Sequence, residues 1–241
     1  MKYNLIKSNE DSRDLLYRTI AVRAKLPKTA DLSRRMPPVY DQGELGSCAA
    51  NAGSCYIAYM YGWPFNDYSR LYLYQKARVL EGNLDIDSGV TMRSIPKALQ
   101  KNGICLEKYF PYVTEKFAVP ASAEAEKDAA QRKITAYRRL YALDEIKNCT
   151  AVKKLPVLLG MQVYESFESE YTKKTGRMKQ PGKDEKLLGG HAVLVYGYDD
   201  AKNGGCLLVR NSWGVEWGDK GNFLMPYKYV ANHTFDYWAL F

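Results

Sequence analysis

The chain has 241 residues, 46% of them hydrophobic, and 35 Lys and Arg against 27 Asp and Glu, for a formal charge of +8. That is apolar material enough for one large domain or two small ones, but no apolar run reaches the ~18 residues a membrane-spanning helix needs. The basic residues fall in scattered pairs, Arg34-Arg35, Arg138-Arg139, Lys153-Lys154 and Lys173-Lys174. This argues for a solvated basic surface and against a nucleic-acid partner.

Residues 1 to about 30 are polar and charged, with Ser8-Asn9-Glu10-Asp11-Ser12-Arg13-Asp14 at their centre. They admit two competing readings, a structural arm packed on the body and a short inhibitory segment. They contain no stretch of signal-peptide length, so the expected location is cytoplasmic, or outside by a route without a classical signal peptide. Leu26-Pro27 and Pro37-Pro38 mark extended or turn backbone. A helix is predicted over Ser47–Tyr61, apolar on more than one side and stopped by Gly62-Trp63-Pro64. A second is expected over Ser69–Leu80 and a third over Thr91–Lys101, ended by Asn102-Gly103. Ala121–Gln131 reads as a short helix or exposed linker, and Ile134–Leu143 as the start of a strand. Val157–Val163, Ala192–Tyr198, Cys206–Arg210 and Gly221–Met225 read as strands. Helices first and strands later predict an α+β protein with two lobes.

Five cysteines leave at least one thiol unpaired. Cys48 and Cys55, seven apart on one helix, are ~10 Å apart along its axis, too far for a disulfide. With no Cys-x-x-Cys and two histidines, no metal site is expected. Cys55, Cys105, Cys149 and Cys206 read as buried thiols, and His233 as structural. Cys48 differs. It sits in Gln42-Gly43-Glu44-Leu45-Gly46-Ser47-Cys48-Ala49-Ala50 at the start of a helix, whose dipole favours an anion there. Far downstream come Gly189-Gly190-His191-Ala192 and then Asn211-Ser212-Trp213-Gly214. A helix-opening Cys, a lone His and an Asn, in that order, are the ordered set a thiolate nucleophile needs.

Further blocks carry a family resemblance. Gln42 lies six residues before Cys48. Asn211-Ser-Trp-Gly-x-x-Trp-Gly-x-x-Gly-Asn-Phe223, Lys101-Asn-Gly-Ile-Cys-Leu-Glu-Lys-Tyr-Phe-Pro-Tyr112 and Pro156-Val-Leu-Leu-Gly-Met-Gln-Val163 with Phe167 and Tyr171 follow in family order. The chain resembles the papain-like cysteine peptidases over roughly residues 36–225. The resemblance implies a papain-like two-lobed α+β fold, a helical lobe and a β-barrel-like lobe with the site between them. It divides the chain into an arm or short pro-segment at 1–30 and a peptidase domain at 31–241, helical to about 120. It implies a Cys48 thiolate paired with a His191 imidazolium, Asn211 orienting the imidazole, and an oxyanion site of Gln42 and the Cys48 backbone N–H. Trp213 would shield the His191–Asn211 bond, Gly89 and Gly190 would line the non-primed side of the cleft, and Trp217 the primed side. The partner implied is a polypeptide substrate, met by a monomer that binds neither nucleic acid nor membrane and needs no cofactor.

Three departures stand out. Leu45 occupies the position where secreted relatives carry a disulfide cysteine, which favours a reducing compartment. Ala49 replaces a common aromatic, and Gly190 a common Asp or Asn. The same triad could also pass its acyl group to an amine, or the scaffold could be a silent binding module.

Overall fold

The computed structural model describes residues 2–21, 24–62 and 67–241. In chain order these form β1 (Thr29–Asp31), α1 (Cys48–Tyr61), α2 (Arg70–Leu80), α3 (Ser94–Lys101), α4 (Ala123–Ala129), β2 (Tyr137–Leu140), α5 (Leu143–Asn148), β3 (Val157–Tyr164), α6 (Glu170–Thr175), β4 (Leu187–Asp199), β5 (Cys206–Arg210), β6 (Asn222–Pro226), α7 (Tyr227–His233) and β7 (Thr234–Leu240). The α+β expectation holds. The strands make one antiparallel sheet ordered β2-β7-β3-β4-β5-β6, with β1 added to β4 through Thr29–Asp199 and Asp31–Gly197.

The central helix α1 is rich in Ala, Gly, Ser and Cys, and every residue from Cys48 to Tyr59 is buried. Small side chains let other elements approach it on all sides. A Cβ on Gly53 would stand 2.6 Å from the Ile95 side chain of α3. Tyr56 Oη donates to Leu240 O at 3.2 Å and accepts from Leu240 N at 3.0 Å, joining α1 to the C-terminal strand. One apolar core gathers α1 to α3 with Leu158, Leu194, Trp238 and Leu240 of the sheet. A second fills the other face of the sheet with Val157, Leu159, Val193, Val195, Phe223 and Tyr17.

Element boundaries follow local chemistry. Gly62 caps α1, as expected, while the predicted stop at Trp63-Pro64 lies outside the described residues. Ser69 caps α2 through Tyr72 N. Helix α3 starts at Ser94 rather than Thr91, because Thr91 N–H and Oγ1 both donate to Glu81 Oε1. Strand β4 is longer than its apolar run. Gly189 and Gly190 extend it towards the N terminus, where the next chain to pair with it is the protein's own N-terminal segment.

Candidate active site

Cys48 opens α1, next to Ser47, whose hydroxyl shares a 2.6 Å hydrogen bond with Tyr112 Oη and accepts from Asn51 Nδ2 at 3.0 Å. The thiol is 1% exposed. It faces the backbone N–H groups of Ala192 and Ala49, which favour the thiolate, but burial outweighs them and pushes its pKa up to about 11. His191 sits in β4 opposite Met161 of β3. Its Nε2 lies 2.8 Å from Asn211 Oδ1, so the ring proton is assigned to Nε2. Asn211 Oδ1 also accepts from Ser212 N at 2.9 Å, and Asn211 N donates to Gly221 O at 3.0 Å, which holds the amide in place. The Trp213 ring lies 4.8 Å from the imidazole, tilted by 32°. His191 is fully buried, and burial lowers its pKa to about 4. Its Nδ1 makes no hydrogen bond among the described residues. Burial thus disfavours the charged form of both groups.

Gln42 is fully buried. Its Nε2 donates to Leu45 O at 2.9 Å, its Oε1 accepts from Ser212 Oγ at 2.7 Å, and its backbone N donates to Ser212 O. These bonds fix the amide and leave the second Nε2 hydrogen free to serve as a donor. They also join the loop before α1 to the Asn211 block, a join continued by the Asp41–Trp213 bridge.

What buries the site is the N-terminal segment. Gly190 N donates to Tyr3 O and Leu5 N donates to Gly190 O, each at 3.2 Å, so residues 3–5 join β4 through a single parallel bridge, Asn4–Gly190. The Tyr3 ring packs edge-on against His191 at 6.3 Å and Trp213 at 6.0 Å, and its hydroxyl donates to Glu168. Asn4 lies on Gly89, where a Cβ would stand 2.3 Å from Asn4 O. At Gly190 a Cβ would stand 2.2 Å from Leu5 O. Leu5 is buried against the helical core and Ile6 bridges to Thr91. Lys2 pairs with Asp87 at 2.6 Å, and the same carboxylate accepts from Tyr74 Oη and from Gly46 N.

The residues singled out in the sequence thus fall into one region. Cys48, His191, Asn211, Gln42 and Trp213 meet where α1, β4 and the segment after β5 converge. Gly89 and Gly190 flank the backbone of Asn4 and Leu5. Trp217 stands behind Trp213, 5.1 Å away and perpendicular to it, tilted against Phe167 and edge-on to Phe223. Sequence reading missed Tyr3, Leu5, Asp87 and Glu168, none of which belongs to a local pattern. All five cysteines are free and buried.

The chain belongs to the papain family of cysteine peptidases. The family's profile, papain family cysteine protease, matches residues 26–234. The fold and family together make it a cysteine-type peptidase. Among solved structures it is similar to xylellain, a cysteine protease from Xylella fastidiosa, with 36% identity and a TM-score of 0.89 over 99% of this chain and 95% of that one. An uncharacterised peptidase C1-like protein of Acanthamoeba polyphaga mimivirus is 34% identical over 99% of this chain and 86% of its own length. Cysteine proteinase 3 of Entamoeba histolytica is 30% identical over 85% of this chain, which spans 64% of that protein. Digestive procathepsin L 3 of Tenebrio molitor, at 18% identity and a TM-score of 0.75 over 99% of this chain and 76% of that one, shares the fold. Among the described residues no helix is long and apolar enough to cross a membrane.

Proposed function

We propose that this chain is a cysteine endopeptidase acting through Cys48, His191 and Asn211, and that its first residues hold it latent by lying in its own cleft. The observation that carries the reading is the Cys48 thiol at a helix start, against the backbone of Ala192, which directly follows His191, whose Nε2 is held 2.8 Å from Asn211 Oδ1. The free Nδ1 is the nitrogen left to exchange a proton with the thiol.

With the cleft open to water and substrate, the desolvation that keeps both groups neutral is relieved. The proton then moves from Cys48 to His191 Nδ1. The thiolate attacks the peptide carbonyl carbon. The oxygen takes negative charge and receives hydrogen bonds from Gln42 Nε2 and the Cys48 backbone N–H, each worth ~3 kcal/mol in the transition state. His191 gives its proton to the departing amine, leaving a thioester on Cys48. It then takes a proton from water, which attacks the thioester. The carboxylic acid leaves and the thiol returns. Asn211 keeps the imidazole in the plane that serves both transfers.

Labelling by a thiolate-directed epoxide tests this, read by mass at each cysteine beside hydrolysis of dipeptidyl fluorophores. Expected is modification of Cys48 alone, with parallel loss of hydrolysis, once residues 2–8 are displaced. The product mass reports whether water, an amine or a peptide accepts the acyl group. A displaced chain that stays unlabelled at Cys48 would refute the reading.

A further inference from the structure

Resting on that latent-peptidase reading, we infer that the removable part of the N-terminal segment is short, ending within an exposed processing loop at Asn9–Arg13, and that the chain from Asp14 onward is a permanent part of the mature enzyme.

The two sides of the loop are held in different ways. On the upstream side, residues 2–8 lie on the cleft. Ser8 ends them, 3% exposed, with its N–H donating to Asp236 Oδ2 at 2.5 Å and its hydroxyl accepting from Arg93 N at 3.2 Å. Most of these contacts are backbone to backbone across Gly190, or surface pairs such as Lys2–Asp87.

On the downstream side the chain enters the body. Asp14 is clamped between two buried guanidinium groups. Arg93 bonds both of its oxygens, with Nε at 3.1 Å, and Arg139 Nη1 lies at 3.2 Å. Arg139 also reaches Asp236 at 3.0 Å, and both arginines lie over Trp238. Arg139 N donates to Leu15 O at 2.8 Å. Tyr17 is fully buried in the core beneath the sheet, its hydroxyl donating to Asn148 Oδ1 at 2.8 Å. Taking away Asp14 would leave two buried cations to share one carboxylate, and taking away Tyr17 would leave a cavity.

Between them Asn9, Glu10, Ser12 and Arg13 are exposed, and Arg13 spends its guanidinium on Asp11 within the loop itself. Exposed polar loops of this kind are where chains are nicked. The cut is a hydrolysis: water adds across one peptide bond, leaving a carboxylate on the short departing fragment and an ammonium group at the new N terminus. It acts between molecules. While residues 3–5 lie at Gly190 the loop is held beyond Ser8, away from its own Cys48, and to enter its own site it would first have to vacate it.

Two truncated chains, starting at Asp14 and at Thr29, separate the halves. The Asp14 chain is expected to melt within a few degrees of the full chain and to alkylate at Cys48 about 10²-fold faster or more at neutral pH. The Thr29 chain is expected to melt far lower. In parallel, the full chain carrying Cys48→Ala is treated with traces of the Asp14 chain and, separately, with subtilisin, and the first new N termini are sequenced. Termini between residues 10 and 14 are expected from both. A first cut beyond Tyr17, or an Asp14 chain as unstable as the Thr29 chain, overturns the inference. If the Asp14 chain is stable and the subtilisin cut falls in the loop, yet Cys48 neither labels nor hydrolyses, the boundary stands and the peptidase reading fails.

Discussion

Cys48, His191 and Asn211 come from three distant stretches, yet each is announced by its immediate neighbours, whereas Tyr3 and Leu5, which lie against His191 and Gly190, and Ser8, which anchors their segment, carry no local pattern. The candidate reacting groups need strict local geometry: a helix start, a strand with glycines before it, a tight turn after a strand. Such geometry leaves a signature in the adjoining residues. The covering segment needs only to fit a groove, and its partners are the backbone of Gly190 and the side chains Asp87, Glu168 and Asp236, spread over the chain. The candidate chemistry is therefore written locally and the contacts of its covering segment at long range.

The largest test of the comparison acts on the local half. Cys48→Ala should lower hydrolysis by the unmasked enzyme by roughly 10⁴–10⁶-fold while leaving thermal unfolding nearly unchanged. Steady-state assays against a melting curve check this, and appreciable residual turnover would mean that another group does the chemistry.

Next comes the pH profile of Cys48 alkylation. Burial raises the thiol pKa in the covered chain to about 11, and the thiolate exists above its pKa, so reactivity should climb about tenfold per pH unit from 7 to 10 without a plateau. The unmasked chain should already have reached its plateau near neutrality, giving a gap of about 10⁴-fold in thiolate at pH 7. Superimposable profiles would show that the segment does not control the thiol.

Within the N-terminal segment, Tyr17→Ala should cost about 3–5 kcal/mol in a urea melt, because it empties a fully buried site. Tyr3→Ala should cost under about 1 kcal/mol. Equal costs would erase the distinction between the two ends of the segment. Gln42→Ala should reduce kcat by about 10²–10³-fold in the unmasked enzyme. A change in KM alone would assign Gln42 to binding. The smallest effect is the most pointed. Gly190→Ala puts a Cβ 2.2 Å from Leu5 O. It should loosen the cover and raise full-chain alkylation about tenfold, at the 1–3 kcal/mol typical of overpacking. A slower reaction would mean that the segment does not lie on Gly190.

The helices α1 and α2 and the strands β3, β5 and β6 were legible to within a few residues, because long apolar or β-branched runs bounded by Gly, Ser or Pro mark their own ends. Strand β1 was not, since three residues, one of them buried, show no period. Strand β7 was hidden by a bulge. Leu159 pairs with Tyr237 and Gly160 with Phe235, leaving Asp236 unpaired at φ 53° with its carboxylate turned to Arg139 and Ser8. A charged residue in mid-strand reads as a loop until its partners are known.

The sequence by itself determined the α+β class, the papain-family membership and the identity of the candidate nucleophile, base and orienting amide, because each rests on a few adjoining residues whose spacing sets local backbone geometry. Only the tertiary structure decided that burial disfavours the charged thiol and imidazole, that residues 3–5 bridge to β4 at Gly190, and that Asp14 lies between the buried Arg93 and Arg139. Those outcomes depend on how much water and which distant charges reach each group, and burial and long-range pairing are properties of the packed chain rather than of any stretch of it.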